Sequence, residues 1–297
     1  LSRPERGGTP SLWWLPAAAV GAAAVALGWA RYVEPRRLEL SVWDVPLEGL
    51  APEAETSILH LSDLHVDSMP LTPKQLIAAL GAPALGCPVL CLTGDFCDRP
   101  SEIPAVEAFL APILHAMAVQ AGRAVSAFAV WGNHDRKAGE PALAEVMQRL
   151  GVTVLHNSAA QIGDGLWVAG VGDPTTHQDR LEQALGQVPP GRPFLLLAHN
   201  PAIFRRAAAA GVPLTLAGHT HGGQVRLGGL ERLADRGGLG SRPYRGGGWY
   251  RHGDQAIFVN RGLGTTFLPM RFGARPEAAV LRLRSERSLT TAPANVR

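Results

Sequence analysis

Five of the ten histidines in this 297-residue chain stand at the ends of apolar runs, beside Asp, Asn or Gly. Asp63 and His65 follow ILHLS, and Gly94-Asp95 follows VLCLT. Gly132-Asn133-His134-Asp135 follows SAFAVW. His199 ends FLLLA, and Gly218-His219-Thr220-His221 follows LTLA. In an extended chain, residues two apart point the same way, so Asp63 with His65 is expected to reach one cation. His219 and His221 repeat that spacing, and Gly94 is expected to let the backbone turn closely around an ion. Carboxylates, imidazoles and one amide oxygen make a mixed O/N donor set. It suits Mn²⁺, Fe²⁺ or Zn²⁺ better than a thiolate site would. Taken singly, each residue reads equally well as an ordinary polar strand end. Five repeats of one setting point to a shared metal site.

The elements that must position these residues alternate strand and helix. Strands are expected at Ser57–Ser62, Pro88–Thr93, Ser126–Trp131, Val152–His156, Leu166–Val171, Phe194–His199, Leu214–Ala217, Ala256–Val259 and Ala278–Leu283. Helices are expected at Thr72–Leu80, Pro104–Gln120, Glu140–Leu150, His177–Leu185 and Pro201–Ala210, with Pro104 and Pro201 at tolerated first-turn positions. This alternation predicts an α/β layered domain whose ligands sit beyond the strand C-termini. The Gly- and Arg-rich stretch Gly222–Gly253 reads as long loops.

Hydrophobic residues make up 46% and charged residues 18%, which fits a packed core and excludes a disordered chain. A net charge of +3 with scattered arginines gives no basic stripe for nucleic acid. Cys87, Cys91 and Cys97 match neither a disulfide framework nor a zinc spacing. His60, His115, His156, His177 and His252 lack metal-spaced partners and read as structural or solvated.

Ser11–Ala30 is an uncharged run, as a helix about 30 Å long and enough to cross a bilayer. Trp13 and Trp14 at one end, with Trp29 and Tyr32 at the other, suit the two interfaces. An uncleaved anchor is the favoured reading. A signal peptide cleaved near Ala24-Val25-Ala26, or a buried helix, are the alternatives. Arg3 and Arg6 precede the run, while Arg31, Arg36 and Arg37 follow it, which leans toward a cytoplasmic catalytic domain. The expected organisation is an anchor over 1–31, a linker and edge strand over 32–55, a catalytic domain over 56–285 and a tail over 286–297.

The ordered blocks DLH, GDFCD, GNHD, a lone His199 and GHTH resemble the calcineurin-like metallophosphoesterase superfamily. That resemblance implies an αββα sandwich with two divalent metal ions at its rim. Carried over by residue, Asp63, His65 and His221 would hold one ion. Asn133, His199 and His219 would hold the other, and Asp95 would bridge them. A water activated by both ions would be the nucleophile. His134 would protonate the leaving oxygen or stabilise its charge, oriented by Asp98, and Arg99 would grip phosphate or, since Pro100 replaces the relatives' glycine, be a plain surface arginine. GHTHGGQVRL and VNRGLGTTFLPMRFGARPE further resemble the membrane-anchored bacterial subgroup. Some of its members are UDP-2,3-diacylglucosamine pyrophosphatases of lipid A synthesis, and others are phosphodiesterases. This implies a phosphoester, nucleotide-sugar or lipid substrate at the bacterial inner membrane. Phe267, Leu268 and Met270 would form an apolar lip beside Arg271 as a second phosphate grip, or would pack into the sandwich.

Overall fold

The computed structural model describes residues 15–163, 165–226 and 242–285. Among them, twelve strands form two six-stranded sheets. The first runs β1 (Glu39–Pro46), β12 (Glu277–Arg284), β2 (Thr56–Leu61), β3 (Val89–Leu92), β4 (Ser126–Ala129), β5 (Val152–Val154). The second runs β10 (Gly248–His252), β11 (Gln255–Val259), β9 (Leu214–Ala217), β8 (Phe194–Leu197), β7 (Leu166–Gly170), β6 (Ser158–Ile162). β2 to β5 are mutually parallel, as are β7, β8, β9 and β11. Each parallel set therefore delivers its C-termini to one edge.

The continuous apolar runs of these strands follow from burial on both faces. Ile58, Val89, Cys91 and Phe128 of the first sheet meet Val168, Leu195, Leu197 and Leu216 of the second. The alternate residues Leu59, Leu61, Leu90 and Leu92 pack under α2 (Pro73–Leu85), α3 (Ile103–Ala121) and α5 (Glu140–Arg149). Outside the second sheet, Ala169, Leu196 and Ala198 pack with residues of α6 (Leu181–Leu185) and α7 (Phe204–Ala209). The result is the four-layer αββα sandwich. Each Leu or Ile fully buried there contributes about 1.5–3 kcal/mol relative to exposure.

Several elements depart from the sequence expectation. β10 lies inside the stretch expected to be loops; its Trp249 packs against the core between the sheets, and Tyr250 on the opposite face packs against Tyr244. β6 was not expected, and neither was α4 (Asn133–Ala138), which starts inside the GNHD block. The helix expected over His177–Leu185 is confined to Leu181–Leu185, because His177 is left-handed at φ 57° after a 3₁₀ turn. The segment expected as linker and edge strand contains β1, paired in parallel with β12 at the sheet edge.

The described part of the N-terminal run is α1 (Leu15–Gly28), continued by a wider helical turn over Trp29–Val33. Trp13, Trp14, Arg3 and Arg6 lie outside the described residues, as does the tail beyond Ser285. Val20, Val25 and Leu27 of α1 are exposed. Among the described helices, Pro100–Ala121 has the length and apolarity to cross a membrane. Its Val106, Phe109, Leu110, Ile113 and Met117 are buried in the sandwich, so it serves as a core helix.

Candidate active site

Leu61, Leu92 and Ala129 end β2, β3 and β4, and each is paired in register with its neighbour. Asp63, Asp95 and Asn133 follow them, while His199 follows β8 and His219 and His221 follow β9. All of these residues converge on one rim. Four of them, with His65, do so through left-handed backbone, where an extended chain is expected from sequence for Asp63, His65, His219 and His221. Asp63 has φ 50°, His65 39°, Asp95 55°, His219 72° and His221 50°. Non-glycine residues rarely adopt that region, and such strain concentrates at functional sites. Gly94 also has a different reason from the one expected. A Cβ there would sit 2.4 Å from the Gly132 nitrogen, so its bareness lets two loops touch.

Ligand-type atoms of Asp63, His65 and His221 lie within 4.8 Å of one another, and so do those of Asp95, His199 and His219. Asp95 joins the groups: its Oδ2 is 3.2 Å from His199 Nε2 and 3.6 Å from His65 Nε2. Asn133 Oδ1 is 3.2 Å and His219 Nδ1 is 3.1 Å from the same His199 Nε2.

This arrangement calls for positive charge. His199 Nδ1 donates to the Thr93 carbonyl at 2.7 Å, so a neutral ring turns its Nε2 lone pair toward the oxygens of Asp95 and Asn133. His65 Nδ1 likewise donates to Asp98, leaving its buried Nε2 without a hydrogen-bond partner. A proton or a cation relieves that crowding of lone pairs, and the donor chemistry fits a borderline divalent ion. Without metal, burial pulls the His65 pKa down, but the Asp98 hydrogen bond and the charges of Asp95 and Asp63 push it up to about 9. His199 is likewise raised well above the usual value, since Asp95 outweighs burial. Burial would raise Asp95, but His199, His65 and His134 hold it well below the ordinary carboxylate range.

A second layer of polar contacts fixes these side chains. Buried Asp135 accepts the backbone N–H groups of Asp95 (2.8 Å), Phe96 (2.7 Å) and Gly132 (2.7 Å), tying two loops together. Sequence reading assigned it no role, although it is the fourth residue of the GNHD block. Burial and the Asp95 charge push its pKa up to about 7, while the backbone donors oppose that rise. Ser62 Oγ donates to Asp63 Oδ2 at 2.6 Å and receives Thr93 Oγ1 at 2.7 Å. His60 Nε2 completes the chain 2.9 Å from Thr93 Oγ1, fully buried, and desolvation lowers its pKa to about 3.

His134 stands at the mouth. Its Nδ1 is 2.8 Å from Asp98 Oδ1, and its backbone N–H donates to Asp95 Oδ1 at 2.9 Å. Phe267, with a ring centroid 6.4 Å away, is 93% exposed, and Leu268 is also exposed. The apolar lip therefore faces solvent instead of packing into the sandwich. Gln224 pins it in place: its amide donates to the Thr266 and Leu268 carbonyls and accepts from the Thr266 N–H.

The two arginines expected to grip phosphate stand in different settings. Arg99 is an exposed side chain paired with Glu102 and, at 3.7 Å, with Asp67. Arg271 is fully buried, and its guanidinium donates to the carbonyls of His221, Arg261, Gly262, Gly264 and Ala274. No donor remains for a substrate. Arg271 is a structural clamp on the loops behind the rim, and burial lowers its pKa to about 10.

Residues 56–223 match the family model of the calcineurin-like phosphoesterases. The chain is 30% identical over 268 residues to the uncharacterized metallophosphoesterase YkuE of Bacillus subtilis, across 87% of this chain and 90% of that protein. It is 29% identical over 289 residues to the phosphodiesterase YaeI of Escherichia coli, across 90% and 96%. It is also 28% identical over 263 residues to a Bos taurus transmembrane protein with a metallophosphoesterase domain, across 82% and 56%.

Proposed function

The chain belongs to the calcineurin-like phosphoesterase family, and on that premise we propose how its residues divide the hydrolysis of a phosphodiester or pyrophosphate. It is a metal-dependent hydrolase. Asp63, His65 and His221 would hold one divalent ion and Asn133, His199 and His219 the other, with Asp95 shared. The observation that carries this reading is the position of Asp95 Oδ2 between His199 Nε2 and His65 Nε2. Bound there, such a pair supplies Lewis acidity and lowers the pKa of water toward neutrality. Mn²⁺, Fe²⁺ or Zn²⁺ would suit these donors.

The remaining chemistry belongs to His134 and Asp98. The Asp98 carboxylate, 2.8 Å from His134 Nδ1, would hold the ring by charge with Nε2 left for the substrate. The Nε2–H is given to the leaving oxygen as the P–O bond breaks, so the departing alcohol or phosphate leaves protonated. Such help is commonly worth about 10²–10⁴-fold.

The exposed Phe267–Leu268 lip beside His134 favours a leaving or retained group with an apolar portion. UDP-2,3-diacylglucosamine is the specific substrate of this kind to which the subgroup resemblance points. A general phosphodiesterase acting on nucleotides or envelope polymers is the second reading, favoured by the likeness to YaeI. The exposed Val20, Val25 and Leu27 of α1 support an inner-membrane anchor, since a helix apolar all round suits a core or a bilayer. The bovine relative's transmembrane description agrees.

The test is hydrolysis of bis(p-nitrophenyl) phosphate by the full chain with Mn²⁺. Turnover should vanish with chelator, and a diester with an alkoxide leaving group should be cleaved at least about 10²-fold more slowly by His134→Ala. No hydrolysis by metal-replete protein would contradict the enzyme. UMP release from UDP-2,3-diacylglucosamine supports the lipid substrate, and diester cleavage without UMP release removes it.

A further inference from the structure

A second polar cleft, of about 350 Å³, opens where the chain passes from α1 into the catalytic domain. Arg37, Arg226, Arg261 and Arg275 line it, together with Trp29, Glu34 and Glu39. Both carboxylates are engaged. Glu34 is buried, accepting the Ala274 N–H at 2.8 Å and Trp29 Nε1–H at 3.1 Å. Glu39 is shared between Arg275 at 2.7 Å and Arg261 at 3.1 Å. Arg37 stacks 5.4 Å from the Trp29 ring. Among the described residues, neither Arg37 nor Arg226 pairs with a carboxylate. Arg261 also lies 3.5 Å from Glu277, so four guanidinium groups face three carboxylates and the cleft keeps one positive charge in excess.

We propose that this cleft binds a phosphate-bearing anionic group, namely the headgroup of an anionic phospholipid. Guanidinium forks match phosphate oxygens in geometry and charge, and are less strongly hydrated than ammonium groups. The location selects the lipid over free phosphate. Trp29 is partly exposed and Tyr32 exposed directly after α1, where aromatic side chains suit a bilayer interface. Arg31 and Arg36 flank the same elbow, and basic residues there are drawn to anionic lipid. The elbow is fixed to the catalytic domain, because the Arg271 N–H donates to the Ala30 carbonyl at 2.9 Å. The cleft also adjoins the mouth. Arg226 and Gly273 follow directly on the Val225–Phe272 bridge, and Gln224 before it holds the Phe267 lip. A headgroup seated here would set the lip at a fixed height above the membrane. This inference rests on the membrane reading above and adds a binding site to it.

The metal-loaded full chain in neutral detergent micelles is titrated with phosphatidylglycerol, phosphatidylcholine or inorganic phosphate, and bound ligand is read by native mass spectrometry. Phosphatidylglycerol is expected to be retained in preference to phosphatidylcholine. Arg37→Ala/Arg226→Ala should weaken that retention about 30-fold, at about 1 kcal/mol for each arginine. Hydrolysis of bis(p-nitrophenyl) phosphate should stay unchanged. Arg226→Ala alone leaves the Trp29 contact intact and serves if the double variant misfolds. Equal retention of both lipids, or of phosphatidylglycerol by wild type and variants, overturns the proposal. Arginine-dependent binding of inorganic phosphate without lipid selectivity overturns the lipid source. Membrane fractionation of the full chain separately tests the anchor, so the two failures are distinguishable.

Discussion

Asp98 Oδ1 lies 2.8 Å from His134 Nδ1, and the same oxygen lies 2.8 Å from His65 Nδ1. One carboxylate thus orients both a residue placed to donate a proton and a residue placed to hold a cation. The hydrogen bond to His65 is the largest cause of the lowered Asp98 pKa, so the carboxylate is ionised at neutral pH. Asp98→Asn keeps the shape but removes the charge. It should cost about 10–100-fold in turnover or metal affinity. The loss in turnover should be larger for an alkoxide leaving group than for p-nitrophenolate, which departs without a proton. Equal losses across leaving groups would show that His134 is not the acid.

Asp135 predicts a structural lesion with a catalytic readout. Asp135→Asn replaces an acceptor of three backbone N–H groups by an amide that offers one acceptor oxygen. Urea unfolding of the metal-free protein should show a loss of at least about 2 kcal/mol. Metal affinity should fall with it, because the Asp95 loop loses its tie to Gly132. Unchanged stability would contradict the clamp.

Arg271 separates two roles cleanly. Its donors end on backbone carbonyls, so Arg271→Lys should lower stability by about 3 kcal/mol or more through unsatisfied buried groups. KM for a soluble diester should change little in the protein that remains folded. A raised KM with intact stability would restore the phosphate grip expected from sequence.

His60 sets an acid limit. Its folded pKa of about 3 lies below its unfolded value, so the unfolded chain takes up the proton first as pH falls. Its contribution to stability is whole above about pH 6.5 and shrinks progressively toward pH 3. Between pH 7.5 and pH 5, metal-free wild type should lose about 2 kcal/mol more than His60→Gln. Parallel losses in urea titrations at the two pH values would place the acid sensitivity elsewhere.

Much of the sandwich is legible in the sequence because its central strands are apolar runs cut off by Gly, Asp, Asn or His. The metal-type residues stand out for the same reason, being the first polar groups after those runs. Their backbone is not legible. Asp63 and His65 meet the cluster through left-handed turns, and nothing in DLH distinguishes such a turn from an extended segment. Asp135 is hidden because two of its partners are backbone N–H groups of Asp95 and Phe96, about forty positions upstream. Arg271 misleads, since an arginine after an apolar lip reads alike whether its fork meets phosphate or carbonyls. β10 escapes notice because glycine- and arginine-rich flanks mask a five-residue strand.

The shared role of Asp95 is tested most directly by anomalous diffraction from crystals of the Mn²⁺-loaded protein. The expected map has two peaks about 3.5–4 Å apart, both touching the Asp95 carboxylate. One should be surrounded by Asp63, His65 and His221, and the other by Asn133, His199 and His219. A map without peaks at this rim, or with a single peak that Asp95 does not touch, would contradict the dinuclear site.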